Sequence, residues 1–306
     1  LVLTQDGNLR KDLNENELKK WAFIKYDRLN RAVLTGILTF GSVQNQEQMQ
    51  TFVDNLYSGD SPRAYYVDRN SLLTTTLGFT DDSFPKSTDG SMEYLTATYY
   101  DDYNFPDKKT FSTTNNISGY TDSQGIIYYL DNIKDVVVGS KAKILGTSYY
   151  ITKTNYYDDK YRVIQSLSNL YTNNNEVETI SNKYDFIGNL TQSNQKQYFD
   201  GSTTTINKYY TYDDLYRLLK VESKINSNST VTVSEMSYNE LGQLEKKELN
   251  NNLIDIDYKY NIRGWLTNIN NPNSLGSDLF SLRLVYEDPS SLTNLTKDSQ
   301  YNGNIS

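Results

Sequence analysis

Six times the chain repeats one phrase: a Tyr, an Asp or Asn, two variable residues, a turn position, a polar or aromatic residue and usually an aliphatic one. The copies run Tyr26 to Arg31, Tyr157 to Val163, Tyr184 to Leu190, Tyr212 to Leu218, Tyr238 to Leu244 and Tyr260 to Leu266. By subtraction of their numbers, the last five tyrosines lie 27, 28, 26 and 22 residues apart. A period of that size marks one supersecondary unit copied along an array, each copy burying its apolar surface against its neighbours. The phrase is therefore a stacking device before it is a site.

Between phrases the residues alternate. Leu219, Val221 and Ile225 fall on one face of a strand, with Lys220, Glu222 and Lys224 on the other. Asn226 to Ser229 turns the chain, and Thr230 to Tyr238 returns with a change of phase that predicts a bulge near Ser234 or Glu235. Asn250 to Asn252 is the next turn, after which Ile254, Ile256, Tyr258 and Tyr260 alternate with Asp255, Asp257 and Lys259. Each unit is thus a strand pair. The Asp or Asn after the Tyr can accept backbone N–H groups two residues on, as an Asx-turn. Gly188, Gly242 and Gly264 supply a positive φ at the turn position, and Asn30 tolerates one. Tyr161 and Tyr216 stand at the same place and tolerate it poorly, so those units should have a different turn or a strained one.

The most regular repeats span 149–270. Upstream, Tyr99-Tyr100-Asp101-Asp102 echoes Tyr156-Tyr157-Asp158-Asp159 as a degenerate unit that loses its second half at Pro106. Residues 40–98 do not repeat and form an insertion. In it Asn45 and Gln48 make a capping box, and Met49, Phe52, Val53 and Leu56 follow at helical spacing, which predicts a helix over 45–57. Asp60 to Pro85 reads as loop and short strand, and Asp135 to Leu145 as a strand pair turned at Gly139. The expectation is an all-β fold of antiparallel hairpins with one helical insertion and twenty or more strand segments.

The 306 residues include 28 Tyr but neither Cys nor His. That removes thiol nucleophiles, thiolate metal sites and every arrangement built on an imidazole base. No cofactor or metal is expected, and no enzymatic activity. A net charge of −8 argues against nucleic acid, whose phosphates require clustered Lys and Arg. No run of 18 apolar residues suggests a membrane-spanning helix. The chain lacks an initial Met and reads as an internal piece of a longer polypeptide. The absence of Cys fits an extracellular life.

The repeated phrase resembles the YD-repeat of Rhs-family proteins, whose consensus is Tyr-Asp, two variable residues, Gly, Arg and Leu. Flanking stretches resemble the version common in Bacteroidota: Trp21 to Asp27, Tyr99 to Phe105, Gly139 to Thr147, Tyr157 to Gln165, Tyr258 to Thr267 and Tyr301 to Ile305. The likeness covers most of the chain. It implies that the hairpins form part of a curved hollow shell enclosing the protein's own variable C-terminal effector, often a toxin; insecticidal toxin-complex cages and the teneurin shell are similar. The implied partners are the rest of the shell, that effector and a secretion machinery, and the implied location is secreted or outer-membrane-associated in a Gram-negative bacterium. The family's self-cleaving core carries Asp-Pro-x-Gly-Leu, whereas Asp288-Pro289 is followed here by Ser290-Ser291. The resemblance therefore implies a wall and no protease. Under it the structural residues are Tyr26, Asp27, Tyr157, Asp158, Arg162, Tyr184, Asp185, Gly188, Tyr212, Asp213, Arg217, Tyr238, Gly242, Tyr260 and Gly264.

Other readings stay open beside it. The pairs Asp81-Asp82, Asp101-Asp102, Asp158-Asp159 and Asp213-Asp214 could ligate calcium or act as a glycosidase pair. Three of the four follow the same Tyr, which favours turns. The tyrosines could form a sugar-stacking platform, though periodic Tyr more often pack across strands. Arg162 and Arg217 are expected to bond turn carbonyls or a neighbouring Asp. The helix could dock a partner or pack on the sheet. A cell-surface adhesin that binds glycan is the competing function.

Overall fold

The computed structural model describes residues 3–5, 9, 20–42, 45–58, 61–72, 74–121, 125, 128–170, 176–287 and 299–305. Sixteen antiparallel strands form one open sheet whose spatial order is the chain order. They are β1 (Leu3–Thr4), β2 (Lys20–Tyr26), β3 (Ala32–Thr39), β4 (Ser91–Tyr100), β5 (Val137–Lys143), β6 (Tyr150–Tyr157), β7 (Val163–Asn169) and β8 (Val177–Tyr184). There follow β9 (Leu190–Phe199), β10 (Ser202–Tyr212), β11 (Leu218–Ile225), β12 (Val231–Tyr238), β13 (Leu244–Leu249), β14 (Ile254–Tyr260), β15 (Leu266–Ile269) and β16 (Leu282–Arg283). Among the described residues the strands are sixteen rather than twenty or more, because the described parts of two long excursions, at 41–90 and 101–136, are mostly loop. Asp288-Pro289 and the two serines after it lie outside the described residues.

Helix α1 (Gln46–Tyr57) begins as its sequence dictates. The Asn45 carboxamide oxygen accepts the Gln48 N–H at 2.8 Å, and the Gln48 side chain returns a bond to the Asn45 N–H at 3.0 Å. Met49 is buried, and Phe52 packs edge-on against Phe40 and Phe84. The helix is a packed part of the first excursion, which ends at Gly90, just before β4 begins at Ser91, rather than at 98.

Gly139 does not turn the chain. It sits inside β5, paired with Tyr99 on one side and Thr154 on the other. The Phe105 ring lies where its Cβ would be, so the glycine is there for close approach. Gly139→Ala should therefore cost about 2 kcal/mol by overpacking. Urea denaturation checks this: Phe105→Leu in the same chain should recover part of the loss, whereas strictly additive losses would place the strain elsewhere.

The chain divides into two compact units, Leu1–Ser181 with Lys196–Thr203, and Asn182–Gln195 with Thr204–Ser306. In the first, the excursions bring Phe79, Phe84, Tyr103 and Phe105 onto the sheet, and with Phe23, Leu34, Tyr99 and Tyr156 they make a continuous apolar core. In the second unit the register separates two faces. One carries the cross-strand row Tyr210, Val221, Ser234, Leu249 and Ile254, and the other carries Thr211, Lys220, Glu235, Glu248 and Asp255. The predicted bulge appears at Val233, which is skipped as Val221 pairs with Ser234 and Glu222 with Thr232.

Candidate functional site

The repeated phrase is the candidate site, and its copies fold alike. In five of the six copies the register slips just before the Tyr, so that Tyr26 pairs with Ala32, Tyr157 with Val163, Tyr212 with Leu218, Tyr238 with Leu244 and Tyr260 with Leu266. Inside the turn one carboxylate oxygen gathers the backbone. Asp158 Oδ1 accepts N–H groups from Lys160 (3.0 Å) and Arg162 (2.9 Å), and Oδ2 takes the Arg162 Nε at 2.7 Å. Asp27 with Arg31 and Asp213 with Arg217 repeat this, the Nε to Oδ2 bonds being 2.8 and 2.6 Å. Where Arg is absent, Asn189 bonds Asp185 at 2.9 Å and Gln243 bonds Asn239 at 2.9 Å. Asn261 holds the last of the six turns through the N–H groups of Arg263 and Trp265.

Gly188, Gly242 and Gly264 take positive φ, as does Asn30. Tyr161 (φ 62°) and Tyr216 (φ 64°) adopt the same left-handed conformation. The turn is therefore unchanged in those units, and the strain is accepted. Tyr216 is 60% exposed, so its ring gives little back. Tyr216→Gly, and likewise Tyr216→Asn, should stabilise the chain by about 1 kcal/mol by relieving the left-handed penalty. A thermal melt unchanged or lowered in both variants would count against strain at this position.

The tyrosines link each unit to the one before it. Tyr212, Tyr238 and Tyr260 donate their hydroxyls to the carbonyls of Leu190, Leu218 and Leu244, each at 2.9 Å. Every acceptor is the residue six positions after the preceding unit's Tyr. Tyr286 follows the rule at Leu266 (2.8 Å), and Tyr157 donates to Val137 (2.7 Å), the residue paired with Tyr100. Tyr286 thus repeats the link, at a position that the sequence reading missed. Its signal was the spacing of 26 residues from Tyr260, obscured because Glu287 replaces the Asp. The motif arginine also reaches forward: Arg217 lies 4.5 Å from the Tyr238 ring centroid and Arg31 lies 4.2 Å from that of Tyr100.

The degenerate unit is complete after all. Tyr100 pairs with Val137 across the usual slip, the Asp101 N–H bonds the Val136 carbonyl, and Asp101 Oδ1 accepts the Asp135 N–H at 2.8 Å. Asp135, at φ 62°, holds the turn position. Its second half was displaced to 135–137 rather than lost at Pro106. Val136 stands where three of the copies carry Arg, and Arg31 of the preceding copy grips Asp101 through both terminal nitrogens, at 3.1 and 2.6 Å.

These groups border a cleft of about 200 Å³ in the first unit, lined by Asp27, Arg31, Asp68, Arg69, Asp101 and Asp102 among others. Arg28 is paired with Asp68, and Arg69 with Asp102 and the Tyr100 carbonyl. The cleft is thus a set of internal clamps that fasten the first excursion to two turns. Among the described residues no group of three or more His, Cys, Asp or Glu could hold a metal ion. Asp81 is no turn residue: it takes the buried Lys25 ammonium at 3.1 Å and two bonds from Ser87. Burial holds Lys25 below its usual range despite Asp81.

Bonds from Arg31 hold the Asp101 carboxyl below the usual range. Asp213 is held low by the Arg217 N–H and guanidinium, and Asp185 by Asn189 and neighbouring amides, although desolvation opposes both. These carboxylates bind protons less readily folded than unfolded. Their contribution is complete above the ordinary aspartate value of about 4 and disappears as pH falls through the lower folded-state values. An acid titration followed by circular dichroism should lose the fold below about pH 4; loss already beginning at pH 6 would contradict the assignment.

The turns expected at Asn226 to Ser229 and Asn250 to Asn252 form, and a pattern of bonds not legible beforehand closes them. Asn226, Asn251 and Asn270, all at positive φ, each exchange a backbone bond with the preceding strand and accept that residue's N–H on Oδ1. Their partners are Thr205, Thr232 and Asp257, each at 2.8 Å to the oxygen. Asn169 accepts the Thr152 N–H in the same way at 2.5 Å.

No protein family and no curated protein matches the chain in sequence. Among solved structures it is similar to TcdB2-TccC3-Cdc42, with a TM-score of 0.34 and 11% identity over 92% of this chain and 14% of that one. It is similar also to TcdB2-TccC3, with a TM-score of 0.34 and 12% identity over 89% of this chain and 18% of that one. TcdB2-TccC3 without its hypervariable C-terminal region gives a TM-score of 0.34 and 12% identity over 92% of this chain. The chain spans less than a fifth of the length of these structures.

Proposed function

We propose that this chain is a wall segment of an Rhs-type shell that encloses the C-terminal effector of its own polypeptide, in a secreted or surface-bound polymorphic toxin used against competing cells. The observation that carries the reading is the tyrosine-to-carbonyl link, repeated from unit to unit with the Asp-centred turns. It serves to extend a sheet from unit to unit. The same observation supports a non-catalytic role, since the motif carboxylates are occupied by turn amides and their neighbours' side chains. Limited proteolysis of the full-length protein tests the enclosure. Cargo, followed by mass, should survive until the repeats are cut; its rapid loss before any cut in the repeats would rule the shell out.

One observation favours a surface adhesin as the second reading. Turn residues Leu29, Phe186, Leu215, Leu241 and Ile262 are apolar yet exposed, which turns rarely require. Binding of the isolated repeats on a glycan array would favour that reading.

A further inference from the structure

The apolar face of the second unit has a composition that turns alone do not explain. Ile206 and Ile225 pair across it, as do Ser223 with Val231, Met236 with Lys247, Lys247 with Ile256, and Tyr258 with Ile269. Together with the row from Tyr210 to Ile254, these side chains cover strands β10 to β15. At about 4.8 Å between strands the face is about 25 Å wide. None of its large apolar side chains is buried, and the hydrophobic core contains no residue of this unit. The opposite face is its chemical reverse: Lys220 pairs with Glu222, and Lys246 with both Glu248 and Asp255. That face is built for water. A contiguous apolar face of this extent is built to be covered.

Charge decides what covers it. The paired residues of the apolar face include two lysines, Lys208 opposite Ser223 and Lys247 between Met236 and Ile256, and no carboxylate. Neither lysine makes an ion pair among the described residues. In a chain of net charge −8 the acids have been kept off this one surface. A second copy laid face to face would set lysines against a surface with no acid to meet them, so self-association is disfavoured. A partner with carboxylates among apolar side chains satisfies both features.

We propose that this face is a docking surface for a polypeptide segment that alternates apolar and acidic residues. The inference does not rest on the shell reading, since it concerns which face binds and what chemistry it selects. Fluorescence anisotropy on the whole chain tests it, with a labelled synthetic peptide of alternating leucine and glutamate and a matched leucine–lysine peptide. The acidic peptide should bind and the basic one should not. Lys208→Glu with Lys247→Glu should weaken the acidic peptide by about tenfold or more. Lys224→Glu with Lys259→Glu, on the opposite face, should leave it unchanged, with circular dichroism confirming the fold of both. Equal binding of the two peptides, equal loss in the two variants, or no binding at all would overturn the proposal. So would sedimentation showing a concentration-dependent dimer that excludes the acidic peptide, which would assign the face to a second copy.

Discussion

Asp158→Ala is expected to cost about 3–5 kcal/mol, the range for breaking a buried charge pair from one side. The Asp158 side chain is 2% exposed, and its partner Arg162 is 23% exposed. Removal would strand that guanidinium in a partly closed site and also release the Lys160 and Arg162 amides that the carboxylate gathers. The same substitution at Asp213 should cost less, about 1–2 kcal/mol, because there the pair is more open to water, at 17% and 30%. Urea denaturation, followed by a probe local to each unit, separates the two. Equal losses would mean that the turn amides, rather than burial of the pair, set the energy.

Tyr99→Ala should be as damaging, at about 3–5 kcal/mol. The ring is fully buried, stacked between Phe79 at 5.6 Å and Phe105 at 4.3 Å between centroids. It therefore joins both excursions to the sheet, and its loss leaves a cavity that neither can fill alone. Tyr99→Phe keeps the stack but leaves the Leu77 carbonyl, now bonded at 2.7 Å, without its donor; about 1–2 kcal/mol is expected. A Phe variant as unstable as the Ala variant would mean that the hydroxyl, and not the stack, holds the excursions down.

The array was legible in the sequence because its turn chemistry is local. An Asp that accepts amides two and four residues on leaves its mark within one phrase, so Tyr157 to Val163 and its relatives announce their own geometry. The helix at 46–57 was legible for the same reason, since its cap and apolar stripe lie within a single segment. What failed to show depends on distant partners. Gly139 looks like a turn until Phe105, far along the chain, is found above it. Asn251 is one of three consecutive asparagines, and only the pairing with Thr232 shows which of them closes the hairpin. Arg31 gave no hint that it serves two turns, because Asp101 is seventy residues away. Tyr161 and Tyr216 kept the common turn despite an unsuitable side chain: the amide and guanidinium bonds gathered by Asp158 and Asp213 outweigh one strained φ.

The split copy at Tyr100 shows that strand register and turn length are uncoupled in this array. Tyr100 and Val137 meet as Tyr157 and Val163 do, although the connecting path is about six times longer, which in loop-closure entropy costs only about 1.6 kcal/mol. The intervening stretch offsets that cost with its own buried rings, Tyr103 and Phe105 among them. Each such corner is accordingly a port where a lineage, or a protein engineer, can splice in a foreign domain without disturbing the strands on either side.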